Sequence, residues 1–207
     1  PQDMQRDKFE NTPFKLFYSQ PANEWVEALP VGNGRIGAMI FGQPHSERIV
    51  INEESLFAGL PINDNNPRAL ENLPEIRRLL FSGENVEAIK LAQETLLATP
   101  HRLRSYQSLM DLLIIHDSTQ VVNYQREQNL ISGINNTRYG KGENTINQTV
   151  FASAPDDIII VKINSKDPVN FALNLQREQD AQVSYISDRI VLQGQIKDEY
   201  DSLRGPA

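Results

Sequence analysis

Ala28-Leu29-Pro30-Val31-Gly32-Asn33-Gly34-Arg35-Ile36-Gly37-Ala38-Met39-Ile40-Phe41-Gly42 is the stretch that decides the fold. It contains Gly32-Asn33-Gly34-Arg35-Ile36-Gly37, a literal G-x-G-x-x-G, and Glu53 and Glu54 follow about where a ribose contact is expected. That fingerprint works by opening a long helix whose N-terminus receives a pyrophosphate. Here only Ala38-Met39-Ile40-Phe41 precede Gly42-Gln43-Pro44, too few for the crossover of about ten or more residues that parallel strands need. Ala38 and Ile40 alternate with Met39 and Phe41, and Ile49 and Ile51 follow a short turn at Gly42 to Ser46. The stretch reads as a glycine turn between two antiparallel strands and then a hairpin, not as a nucleotide site.

The same alternation continues outward. Phe14, Leu16 and Tyr18 fall on one face of an opening strand, and the polar stretch from Pro1 to about residue 13 is expected to be a disordered leader. Asn66-Pro67 predicts a cap and a first helical residue, and Pro74 a restart of the helix. Ile76, Leu79 and Leu80 follow at helical spacing before Ser82-Gly83 ends the element. Val86, Ile89, Gln93, Leu96 and Leu97 mark a second helix closed by Thr99-Pro100, so a helical hairpin is expected around residues 67–98. Beyond it Leu112 to Ile115 reads as a strand buried on both faces. Weaker alternation runs through Tyr124 to Leu130 and Thr137 to Tyr139. Clearer strands lie at Val150-Phe151, Ile158 to Ile163, Phe171 to Leu175, Val183 to Ile186 and Ile190 to Leu192. Turns at Gly140-Lys141-Gly142, Pro155-Asp156-Asp157 and Ser187-Asp188 space them regularly. The fold class that follows is mainly β, an antiparallel β-sandwich with an inserted helical hairpin.

The 207 residues suffice for one sizeable domain, and a net charge of -7 with scattered basic residues argues against nucleic acid or an anionic membrane surface as partner. No apolar run approaches the length of a membrane span. Cysteine is absent, which removes disulfides and thiolate metal sites and leaves the compartment open. His45, His101 and His116 stand far apart with no paired-ligand spacing, and no metal or cofactor is expected. Asn63, Asp64, Asn65 and Asn66 lack the glycine and glutamate of a calcium loop. Ser55, Ser153 and Ser187 have no G-x-S-x-G context. Glu53-Glu54 and Asp156-Asp157 are neighbours, and on a strand neighbours point to opposite faces, so neither pair can serve as acid and base of one site. Asn135-Asn136-Thr137 and Asn147-Gln148-Thr149 are formal glycosylation sequons. Trp25, the sole tryptophan, reads either as a sugar-stacking ring or as a plug for the sandwich end.

Separate motifs in order resemble a known family. Leu16-Phe17-Tyr18, Pro21-Ala22, and Trp25-Val26-Glu27-Ala28-Leu29-Pro30-Val31-Gly32-Asn33-Gly34-Arg35-Ile36-Gly37-Ala38-Met39 are similar to the opening of glycoside hydrolase family 95. These are the inverting α-L-fucosidases and related α-L-galactosidases. The resemblance runs on through Glu47-Arg48-Ile49, Asn52 to Gly59, Asn66-Pro67, Leu73 to Leu79, Gln107, Asp111-Leu112 and Phe151 to Asp156, covering roughly residues 14–207. Phe57 stands where that family usually has Trp, and Ser108 and Met110 replace a usual Pro and Gly.

What the resemblance implies is a supersandwich-like N-terminal domain without catalytic residues. In that family the chemistry belongs to a helical barrel downstream, where a glutamic acid and an aspartate act on opposite faces of the sugar. None of the barrel motifs occurs in this sequence, so residues 14–207 are expected to be an N-terminal sandwich domain that is incomplete at its C-terminal end and inactive alone. Its partners are then the barrel of the same parent chain and the parent's glycan substrate. The loop segments expected to reach the substrate cleft carry Asn33, Arg35, Asn52, Glu53 and Phe57. Backbone capping by the asparagines and an ion pair for Arg35 are the plain alternatives. A second reading is a stand-alone carbohydrate-binding module with Trp25 and Tyr106 as stacking platforms. A third is an inactive fragment whose open sheet edge pairs with a second copy. The expected address is export from a bacterium, with the signal peptide not present in this chain.

Overall fold

A computed structural model describes residues 14–57, 63, 65–98, 106–116 and 121–196. The expected leader, the end of the chain, His101 and Asp64 lie outside the described residues. The chain divides into two compact units, Pro1–Leu56 with Gln107–Gln195, and Phe57–Tyr106 with Ile196–Ala207.

The first unit is the sandwich. One five-stranded sheet has the order β1-β6-β7-β8-β9, made of Lys15–Tyr18, Gln125–Asn129, Ile134–Tyr139, Ile146–Ser153 and Ile158–Asn164. The other has the order β10-β5-β4-β3-β2, made of Phe171–Gln176, Met110–His116, Ser46–Glu53, Ile36–Ile40 and Leu29–Gly32. A separate ribbon pairs β11 (Ala181–Ile186) with β12 (Arg189–Gly194). All ladders are antiparallel. The glycine stretch forms the hairpin its alternation demands, with Gly32 opposite Gly37 and Leu29 opposite Ile40.

Alternation fills the space between the sheets. Val31, Ala38, Ile40, Ile49, Ile51 and Ile114 from one sheet meet Val150 from the other, with Ile159, Val161 and Ile163 packed alongside. The other half of the interior is polar: Glu47, Arg126, Gln128, Asn135, Thr137 and Gln148 are all buried. Arg126 satisfies its guanidinium on the carbonyls of Gln20 and Glu27, both at 2.8 Å, and lies 4.5 Å from the Tyr18 ring centroid. Glu47 accepts 2.9 Å hydrogen bonds from the Gly42 N–H and from Gln148 Nε2. Burial pushes the Glu47 carboxyl up to about 7. Burial, and then the charge of Glu47, pushes Tyr139 up to about 12, and its hydroxyl donates to the Pro44 carbonyl at 2.8 Å.

Two sequence expectations need correcting in this unit. Strand β5 is central, yet Ile115 is 46 % exposed, so the run from Leu112 is not buried on both faces throughout. Trp25 sits in a 3-10 turn, Trp25–Glu27, and is 55 % exposed, so it does not plug the sandwich end.

The second unit contains the expected helical hairpin, α1 (Ala69–Phe81) and α2 (Asn85–Thr95). Asn66 does not cap α1 directly; its side-chain oxygen accepts from the Arg68 N–H and its carbonyl from the Ala69 N–H, which turns the chain before Arg68. Pro74 lies inside α1 rather than restarting it. It removes one backbone donor early in the helix, and the remaining ladder carries through. Burial falls on Ile76, Leu79, Ala88 and Thr95, while Leu80, Val86 and Ile89 are exposed.

Candidate functional site

The turn between β2 and β3 is built by Asn33. Its side-chain oxygen accepts from the backbone N–H groups of Arg35 (2.9 Å) and Ile36 (2.8 Å), mimicking a backbone turn. Gly34 takes the left-handed conformation in between, with φ +98°. The side-chain nitrogen of Asn33 reaches across the sandwich, donating to the Ser153 carbonyl at 2.9 Å and to Asp157 Oδ1 at 3.1 Å. The β2–β3 turn of one sheet is thereby tied to the β8–β9 turn of the other. Asp157 is presented by a left-handed backbone with φ +56°, and Asp156 accepts from the Ser153 hydroxyl at 2.6 Å.

Arg35 is held in this frame. Its Nε donates to Glu53 Oε1 at 3.1 Å and its Nη1 to Asp157 Oδ2. Glu53 Oε2 accepts from both the N–H (2.9 Å) and the hydroxyl (2.7 Å) of Ser55. The Asp157 hydrogen bond, followed by that of Glu53, raises the Arg35 guanidinium further above its already high value. The Ser55 hydrogen bonds, more than Arg35, hold the Glu53 carboxyl below the usual range. The site is an exposed, fixed guanidinium between two carboxylates. It can donate hydrogen bonds to a polar ligand, but Glu53, being ionised, cannot act as a general acid near neutral pH.

The expected cleft residues therefore part company. Asn33, Arg35 and Glu53 converge. Asn52 points to the opposite face of β4 from Glu53, and its buried side-chain oxygen has no hydrogen-bond partner among the described residues. Phe57 belongs to the second unit, where its ring lies 5.1 Å from that of Tyr106 in an isolated β-bridge. Trp25 and Tyr106 fall in different units. Both plain alternatives hold for the turn: Asn33 caps its backbone and Arg35 is ion-paired. Asp157 and Ser153 were not legible as members of the site, because only the turn containing Asp156-Asp157 is signalled locally, not what that turn meets.

Among the other polar candidates, His116 is buried, and its backbone N–H donates to the His45 carbonyl at 2.9 Å. Burial, then the charge of His45, lowers its imidazole. Asn135 is 1 % exposed, which closes the first sequon in the folded protein, whereas Asn147 of the second is exposed. Among the described residues no three His, Asp or Glu side chains group as metal ligands, and no helix is long and apolar enough to cross a membrane.

Replacing Asn33 by alanine removes four hydrogen bonds, two of them between sheets. The expected loss is about 1–3 kcal/mol of unfolding free energy. Replacing Arg35 by alanine breaks only solvent-screened ion pairs and is expected to cost clearly less than the loss of Asn33. Urea titration of both variants reads the difference, and an equal loss from each removes the assignment of Asn33 as the tie between sheets.

Comparison with known proteins extends the picture. The family described as "Glycosyl hydrolase family 65, N-terminal domain" matches residues 16–205. The chain is 32 % identical over 176 residues to "Alpha-L-fucosidase 2" of Arabidopsis thaliana, an overlap of 81 % of this chain and 20 % of that protein. It is 31 % identical over 159 residues to "Probable alpha-fucosidase A" of Aspergillus oryzae, with 72 % and 21 % covered. The Aspergillus niger protein of the same name is 31 % identical over 182 residues, with 81 % and 22 % covered. The chain thus spans about a fifth of the length of these curated relatives.

Proposed function

The chain belongs to the glycosyl hydrolase family 65 N-terminal domain family, and from that membership we propose that it is the non-catalytic N-terminal domain of an inverting α-L-fucosidase-like enzyme of family 95. The parent enzyme acts on terminal α-L-fucosyl or α-L-galactosyl residues of glycans outside the cytoplasm. This domain braces the helical barrel of the parent and presents the Asn33-Gly34-Arg35 turn at one edge of the substrate cleft.

The observation that carries this reading is the state of the carboxyl groups. An inverting glycosidase needs an acid with a raised pKa and a base across the sugar from it, both open to substrate. Glu47 has the raised pKa, at about 7, but it is 1 % exposed and enclosed between the sheets. Glu53 and Asp157, both partly buried, are engaged by Arg35, and Glu53 is lowered rather than raised. That these three carboxyl groups form no such pair supports placing catalysis in a part of the parent outside this chain, in keeping with a span of about a fifth of its relatives.

Kinetics of the full-length parent test the cleft-edge role. Arg35→Ala is expected to lower kcat/KM on an α-L-fucoside about tenfold, the loss of one charge-assisted hydrogen bond to substrate, while the thermal midpoint stays close to that of the wild type. Unchanged kcat/KM in a folded variant overturns that role.

A further inference from the structure

The outer face of the β10-β5-β4 sheet carries a concavity of about 560 Å³ whose walls include Arg48, Asp111, Leu113, Gln176 and Arg177. It lies wholly within the sandwich unit. The cleft-edge reading does not use it. From its chemistry we propose that this concavity is a binding site for a neutral pyranose unit of a glycan, with Arg48 and Asp111 as the principal hydrogen-bonding pair.

The register builds the site. Gln176, Asp111 and Val50 lie side by side on β10, β5 and β4, and Asn174, Leu113 and Arg48 form the next row on the same face. Arg48 thus stands diagonal to Asp111 and donates from Nε to Asp111 Oδ2 at 2.7 Å. Its guanidinium also lies 5.2 Å from the centroid of the buried Phe41 ring, which fixes it before any ligand arrives. That single bond leaves both terminal nitrogens of Arg48, and Oδ1 of Asp111, without a hydrogen-bond partner among the described residues. Arg177 has a different task. It donates to the carbonyls of Ser108, Leu109 and Gln179 and to the Gln107 side chain, so it anchors the rim rather than offering donors to a ligand.

Three properties select the ligand. The volume falls within the range of about 300–1,000 Å³ typical of small-molecule sites. The charged lining, Arg48 and Arg177 against Asp111 and Glu178, balances, which disfavours a phosphate or a polyanion. A carboxylate beside a guanidinium matches a vicinal diol, in which one hydroxyl donates to Asp111 Oδ1 while its neighbour accepts from an Arg48 Nη. Leu113, directly opposite Arg48 and two residues along β5 from Asp111, offers an apolar surface for the C–H face of the ring.

The assignment rests on this pocket and not on the cleft-edge reading, so each can fail alone. The test is titration of the isotopically labelled chain with methyl α-L-fucopyranoside, methyl β-D-galactopyranoside and methyl α-D-glucopyranoside, read by amide chemical shifts. Saturable shifts at residues 107–113 and 174–179 with at least one glycoside are expected. Asp111→Asn is expected to weaken that binding about tenfold. Arg48→Met, which keeps an unbranched side chain over Phe41 and removes the donors, is expected to weaken it at least as much. Absence of saturable shifts at these residues with all three glycosides overturns the proposal. So does binding that both folded variants retain, or shifts confined to Trp25, Tyr106 or the Asn33–Arg35 turn.

Discussion

Glu47→Gln is expected to stabilise the protein at pH 8 by on the order of 3 kcal/mol and to leave its stability at pH 4 nearly unchanged. The cause is a carboxyl group at 1 % exposure that accepts from the Gly42 N–H and the Gln148 amide, with no cation bonded to it among the described residues. Burial pushes its folded pKa up to about 7 from an ordinary value of 4.5. A raised carboxyl means that the folded state binds the proton more tightly than the unfolded state. Its favourable contribution is therefore complete below 4.5 and declines as the pH climbs to about 7, because ionisation must then be endured without water. Glutamine reproduces the protonated shape. Its oxygen keeps the Gly42 N–H, and its amide nitrogen can donate to Gln148 once the Gln148 amide turns over. Urea denaturation at both pH values measures the difference between variant and wild type. A difference that does not grow with pH means that Glu47 is not the group titrating in the core.

Gly42→Ala is expected to cost about 2–5 kcal/mol, the sum of a left-handed backbone penalty and overpacking. Gly42 has φ +73°, and a Cβ there would meet the Tyr124 hydroxyl at 2.6 Å, Arg126 Cδ at 3.1 Å and Thr137 Oγ1 at 3.2 Å. Two of the three, Tyr124 and Arg126, cannot withdraw cheaply. Tyr124 donates to the Gly42 carbonyl itself at 2.7 Å, and Arg126 is pinned by two backbone carbonyls. Gly133 supplies the control within the same unit, with φ +68° and nothing within 4 Å of its virtual Cβ. Gly133→Ala should therefore show the backbone penalty alone, about 1–2 kcal/mol. Equal losses from the two variants would mean that the polar interior yields at no cost.

Both effects arise in the half of the core that the sequence conceals. The apolar half was legible: Ile36 to Phe41 and Ile49 with Ile51 alternate, and a period of two can only be a strand with one face in a core. Strands β6 (Gln125–Asn129) and β7 (Ile134–Tyr139) alternate too, but their inward residues are Arg126, Gln128, Asn135 and Thr137, which look like solvent-facing positions in a linear reading. Burying the charged Arg126 is tolerable because partners from distant segments meet it. Arg126 reaches the carbonyls of Gln20 and Glu27, whereas Asn135 donates only to Gln128, directly opposite on the neighbouring strand. A burial that depends on such remote partners leaves no local trace.

The candidate site divides in the same way. Asn33-Gly34 announces a turn by its own chemistry, since a short amide side chain and a glycine are what a left-handed bend requires. That Arg35 is ion-paired was a fair expectation for any surface arginine, but Asp157 as its partner, 122 residues away, was not readable. The sequence by itself determined the element types, the two hairpin-rich sheets, the helical hairpin and the family, because these rest on periodicity, turn chemistry and motifs written locally along the chain. Tertiary structure alone decided which turns meet and which carboxylates hold Arg35. It also decided that Glu47 is sealed while Asp111 is open, and that Arg48 leans over Phe41. Those outcomes depend on how two sheets stack and register, and a stacking energy is shared among residues that the sequence keeps far apart.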